Sequence, residues 1–143
     1  MTGGFIAIGA LAVLLIAPPR PDAADVGPRV AAAQAAAQKL QGPLDGSWLL
    51  RDAAGRPLYR FEIVDPAGGR GPLTGAWGDA RGRREVNAGF IELLSRRAQG
   101  LRIRFRAGEE PVISLRLIER SPGAWTGRLN EGGVERAVAM RRN

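Results

Sequence analysis

From Leu44 to the C-terminus, apolar and polar residues alternate in short runs separated by clusters of Gly, Pro, Asp and Asn. Alternation with a period of two places successive side chains on opposite faces of an extended strand, so each run predicts a strand with one face in a core and one in water. The runs are 47–52, 57–65, 73–79, 89–97, 101–107, 112–120, 124–130 and 134–142. The pattern is clearest in LRIRFR, where Leu101, Ile103 and Phe105 share one face and Arg102, Arg104 and Arg106 the other. Tyr59, Phe61 and Ile63 line up in the same way, as do Ile113, Leu115 and Leu117. Only 89–97 is ambiguous, because Phe90 and Leu94 fall on one face and Ile91 and Leu93 on the other. Two covered faces there would suit a homodimer contact.

The connections between these runs are short. Parallel crossovers need about a dozen residues, so the strands must follow one another antiparallel. No helix-length periodic segment remains to cover a sheet face, so the sheet has to close on itself or fold into a sandwich. The expected fold is all-β: an antiparallel up-and-down barrel of about eight strands over residues 44–143, preceded by an N-terminal signal or anchor helix and an Ala-rich tether.

All three tryptophans lie in one five-residue frame. It reads LDGSW at 44–48, LTGAW at 73–77 and, reversed, WTGRL at 125–129. In a strand the Leu, Gly and Trp of each frame share a face, and a glycine between two large groups lets rings from neighbouring strands fit over it while the strand coils. The reversed frame places Trp125 toward the opposite end of the barrel from Trp48 and Trp77. A Gly-x-Trp at the head of the first strand, Leu-Thr-Gly-x-Trp on the third and a last strand ending in basic residues resemble the calycin-like small barrels: lipocalins, avidins and bacterial metalloprotease inhibitors. The resemblance covers 44–143 and implies a fold and a habit of binding. The chain departs from it in lacking the Cys pair common in the inhibitors and the rich polar ligand contacts of avidins, having four Ser and one Tyr. It does have a candidate arm in 25–43.

The N-terminal region has a different grain. Residues 5–17, FIAIGALAVLLIA, are uncharged and precede the breaker-rich PPRPDAAD. This run is short of the roughly 20 residues needed to span a bilayer and suits the apolar core of a secretory signal. Residues 1–24 are therefore expected to act as a cleaved signal or a retained inner-membrane anchor, with the folded part periplasmic or secreted. A buried helix of a cytosolic domain is the competing reading. Residues 25–43, rich in Ala and Gln, predict a short helix or linker with no wide apolar face.

Composition narrows the chemistry. The chain of 143 residues has no Cys and no His, which removes disulfides, thiolate nucleophiles, imidazole bases and the commonest metal ligands. No cofactor or metal is expected, and no enzymatic role. GGRGPLTG (68–75) lacks the Gly-Lys-Ser/Thr close of a phosphate loop and reads as a turn. The net charge of +7 comes mostly from arginine and is spread from Arg51 to Arg142, so it attracts acidic lipid, glycan or protein surfaces more than it marks a nucleic-acid stripe.

Two sets of candidate binding residues follow. Trp48, Tyr59, Trp77 and Trp125 either line a cavity for a small apolar ligand or fill the core. Arg102, Arg104, Arg106 and Arg116 form a basic patch for a partner on the outer wall, with Glu92 and Glu119 as carboxylates placed to intervene. The expected function is a non-catalytic exported binding protein for a small apolar ligand or a protein partner. A periplasmic protease inhibitor and a structural envelope protein are the alternatives.

Overall fold

The computed structural model describes residues 23–143, with side chains from residue 26 onward. The apolar run 5–17, on which the signal or anchor reading rests, lies outside the described residues. The described chain is mostly β. It comprises one helix, α1 (Ala23–Leu40), and nine strands: β1 (Gly46–Asp52), β2 (Pro57–Val64), β3 (Thr74–Asp79), β4 (Ala88–Phe90), β5 (Leu93–Arg97), β6 (Gly100–Phe105), β7 (Ile113–Ser121), β8 (Ala124–Glu131) and β9 (Val134–Arg142). All pair antiparallel in a single curled, barrel-like sheet of order β4-β3-β2-β1-β9-β8-β7-β6-β5.

The two outermost strands are successive pieces of one segment. The run 89–97 was expected as one strand and is two, because the chain bends between Phe90 and Leu93. There the Ile91 N–H donates to the Gly75 carbonyl on β3, and the Glu92 N–H donates to the Arg104 carbonyl on β6. The first half of the segment therefore pairs with β3 and the second with β6. The apolar residues on both of its faces reflect this change of partner. Ile91 and Leu94 pack on the core, whereas Phe90 is 88% exposed.

Inward residues from all the long strands make one core, with Trp48, Leu50, Tyr59, Phe61, Ile103, Phe105, Leu115, Leu129 and Met140 fully buried. The Ala-rich segment is helical, and every described side chain of α1 is exposed. Its main contact is with the 3-10 turn Ala67–Gly69. Ala and Gln give that helix nothing to bury, so it stands off the sheet. Among the described residues no helix is long and apolar enough to cross a membrane.

The glycines of the Leu-Gly-Trp frames serve a different purpose from the one expected. The space beside Gly127 is taken not by a ring but by the backbone of β7: a Cβ there would run into the Arg116 carbonyl. Gly75 is closed in the same way by the Glu62 carbonyl, 2.6 Å from a Cβ position. Glycine lets adjacent strands approach closely where the sheet coils. Gly127→Ala is expected to force the β7–β8 pair apart and to destabilise the fold by about 1–3 kcal/mol, seen as a lower thermal midpoint. An unchanged midpoint would show that the close approach is not needed.

Candidate functional site

The connections at one end of the sheet carry an ionic cluster. Arg81 and Arg84 lie in the loop after β3, Glu131 ends β8, and Tyr59 points up from β2. The Tyr59 hydroxyl donates to Glu131 Oε1 at 2.5 Å, and Arg81 Nη2 donates to the Tyr59 oxygen at 2.6 Å and to Glu131 Oε1 at 3.0 Å. Arg81 also meets the fully buried Asp79 carboxylate at 3.1 Å, and its guanidinium lies 4.7 Å from the centre of the Tyr59 ring. Arg84 reaches both Glu131 and Glu110. Two turns 50 residues apart in sequence are thereby tied across the barrel end.

This cluster fixes its protonation states. Burial pushes the Glu131 carboxyl up, but hydrogen bonds from Arg81, Tyr59 and Arg84 and the Arg81 charge more than reverse that, holding it at about 2. Burial, followed by the Glu131 contact, raises the Tyr59 phenol to about 12. Burial alone would lower the Arg81 guanidinium, but its bonds to Glu131 and Asp79 raise it instead. Glu131 is thus an anion held by cations and Tyr59 a permanent donor, which makes neither suited to pass protons near neutral pH.

A pH dependence follows with a definite sign. Glu131 has a folded pKa below its ordinary value of 4.5, so its contribution is present above pH 4.5 and is lost as pH falls through about 2. Its size is at most on the order of 3 kcal/mol, at about 1.4 kcal/mol per unit. Tyr59 has a raised folded pKa, so its contribution is intact below pH 10 and is lost as pH rises toward 12. Urea midpoints measured against pH should fall in both windows, and a midpoint flat below pH 4.5 would contradict the acid limb.

The other end is closed by the chain entering β1. Gly42 N–H donates to the Asp65 carbonyl at 2.7 Å, and Leu44 N–H donates to Asp65 Oδ2 at 3.0 Å. The Asp65 side chain is fully buried and paired with Arg96 at 2.6 Å. Leu44, 2% exposed, is pressed over this end of the core as a plug. Its carbonyl accepts the Trp48 indole N–H at 2.8 Å. The first frame is therefore not continuous strand: the chain turns at residues 43–44, where the Asp45 N–H donates to the Gly42 carbonyl at 3.1 Å, and enters β1 at Gly46, whose φ of +115° is one that L side chains rarely adopt. Trp48 thus stands near the start of β1, opposite Arg142, and Trp125 near the start of β8, opposite Met140, so the two lie toward the same end, not opposite ends as the frame suggests.

Of the candidate aromatic residues, the structure brings Tyr59 and Trp77 into ring contact with each other and with Phe105. Tyr59, Phe61 and Trp77 surround Phe105 with ring centres 5.0, 5.7 and 4.9 Å away. Trp48 pairs in register with Phe61, and Phe61 with Trp77. Trp125 alone of the four lines a surface depression, of about 370 Å³, with Leu44, Arg96, Arg97, Ile118 and Glu119. The indole N–H groups of Trp77 and Trp125 are buried with no acceptor among the described residues.

Of the candidate arginines, Arg102, Arg104 and Arg116 stand together on the outer wall, and Arg106 pairs with Glu92 at 3.4 Å. Glu119 stands opposite Trp125 across the β7–β8 ladder rather than beside the arginines. Sequence reasoning missed Arg81, Arg84, Glu131 and the plug at Leu44, because no local period links residues that meet across the barrel. Arg128, which joins the arginine row, was legible in the alternation of 124–130. Among the described residues no three His, Cys, Asp or Glu side chains converge as metal ligands. Comparison of the chain with protein-family models, curated proteins and solved structures finds no match.

Proposed function

We propose that this chain is a non-catalytic exported binding protein that holds a protein partner with its exterior, on an up-and-down barrel closed through the bent segment 88–97. The observation that carries this reading is the occupied interior. The inward positions that would line a calycin cavity are filled by Trp48, Tyr59, Phe61, Trp77 and Phe105, all at most 2% exposed. A core packed to this degree acts as a scaffold, and recognition falls to strand-end loops and the arm. A small apolar ligand is left the open depression beside Trp125, which is rimmed by charge.

The protease-inhibitor alternative has one observation in its favour. Residues 42–44 are clamped to Asp65, while α1 leads away from them with every described side chain exposed. A helical arm on a fixed base is a geometry that reaches into a partner's cleft.

The test uses the full chain and a variant lacking residues 1–40, which keeps the plug. Titration with apolar ligands and bacterial lipids is expected to leave tryptophan emission without a saturable change. If the inhibitor mode holds, the full chain slows one or more of a panel of bacterial metallo- and serine proteases and the shortened variant does not, at an unchanged thermal midpoint. A saturable emission shift with an apolar ligand would overturn the exterior-recognition reading.

A further inference from the structure

Three arginines stand in a row across neighbouring strands on the outer wall. Arg102 of β6 is directly opposite Arg116 of β7, and Arg116 is directly opposite Arg128 of β8. Strands lie about 4.8 Å apart, so the row carries a positive charge at roughly each strand spacing over three strands. Arg104 faces Ser114 across the same β6–β7 pair. Ser114 is thus bordered by Arg104 across the ladder, by Arg116 two residues on and by Arg102 on the diagonal. These residues and Val112 line a depression of about 340 Å³.

The row is short of counter-charge. Among the described residues no hydrogen bond or ion pair engages the side chains of Arg102, Arg104 or Arg116. Arg128 meets Glu135 only at 4.0 Å, with both side chains more than half exposed. Like charges directly opposite in a sheet are destabilising. Nothing in the core requires them, since these positions face water. The contrast lies on β1–β2, where the outward Ser47 donates to Glu62 at 2.7 Å across the ladder.

We propose that this wall binds a linear acidic polysaccharide laid across β6, β7 and β8, with one anionic group seated over Ser114 between Arg102, Arg104 and Arg116 and the next over Arg128. Planar guanidinium forks suit carboxylate and sulfate oxygens, which they meet with paired hydrogen bonds. A polyuronate repeats its carboxylates along one chain, as the row repeats its guanidinium groups from strand to strand. Nucleic acid fits less well, because the outward residues of β6–β8 are Arg, Ser, Thr, Asn, Ile and Ala, with no ring for a base to stack on. A membrane fits less well too, since the wall is convex and Ile118 is its one large exposed apolar side chain. This inference stands apart from the protein-partner reading, because it uses a different face.

The test is binding of the full chain to labelled oligogalacturonate at low salt, with neutral dextran, duplex DNA and phosphatidylglycerol vesicles as competing probes. Saturable binding to oligogalacturonate that weakens steeply with salt is expected. The double variant R102Q/R116Q should lose about tenfold or more in affinity, since each lost contact is a charge-assisted one. It should also melt no lower than the parent, because a repulsive pair has been relieved. R60Q/R83Q, which removes the same charge from exposed sites away from this wall, should change affinity by less than about threefold. Equal losses in the two double variants would reduce the row to diffuse charge and overturn the proposal. Tighter binding of DNA or vesicles through Arg102 and Arg116, or no saturable binding to oligogalacturonate, would overturn it as well.

Discussion

Glu131→Ala is expected to destabilise the fold by about 3–5 kcal/mol, the cost of stripping the anion from a largely buried ionic group. Arg81 and Arg84, with side chains 15% and 14% exposed, would keep their charges and lose the carboxylate they share. The Tyr59 hydroxyl would lose its acceptor while its ring stayed in the core. Glu131→Gln keeps the shape and one acceptor oxygen, so it should cost less than the alanine variant. The measurement is urea unfolding, where a lower midpoint at constant slope reports stability and not a change in compactness. A loss below about 1 kcal/mol for the alanine variant would mean that water already solvates the cluster, as at exposed ion pairs. The result also bears on architecture, because Glu131 joins the β8–β9 turn to the loop after β3.

Phe105→Ala is expected to cost a comparable 3–5 kcal/mol or so, from lost burial and the cavity left behind. Phe105 is fully buried and touches Tyr59, Phe61 and Trp77, so it is the ring on which the aromatic core converges. Aromatic pairs of this kind add about 0.5–1.5 kcal/mol each beyond area burial. The variant also discriminates a filled core from a carrier's cavity. An apolar hole made in a packed core stays dry and accepts small aromatic molecules, so benzene should raise the thermal midpoint of Phe105→Ala and leave the parent unmoved. A parent stabilised by benzene to the same extent would show that a cavity was there already.

The strands were legible because β structure writes its faces into the sequence at a period of two. In LRIRFRA, Leu101, Ile103 and Phe105 are buried, and Arg102 and Arg104 lie outside. The hairpin turns were legible through their glycines, as at Gly132 and Gly133 between β8 and β9. The split of 89–97 was not legible, since nothing local says that a strand changes partner midway. The apolar residues on both its faces are the local trace of that change. The sequence places Leu44 on a strand because Leu44, Gly46 and Trp48 match an i, i+2, i+4 spacing. Its real position depends on Asp65, 21 residues away. The ionic cluster was invisible for the same reason: Arg81, Glu131 and Tyr59 meet only after the sheet has curled. The arginine patch was half legible, because alternation gives the outward face but not the register that sets Arg102, Arg116 and Arg128 side by side.

Acrylamide quenching of tryptophan emission in the full chain separates an occupied interior from an open cavity. Trp48, Trp77 and Trp125 are 0, 2 and 6% exposed, so blue emission, weak quenching and no further protection by any apolar ligand are expected. Red-shifted, readily quenched emission that a saturating apolar ligand protects would contradict the packed core and place an open cavity there.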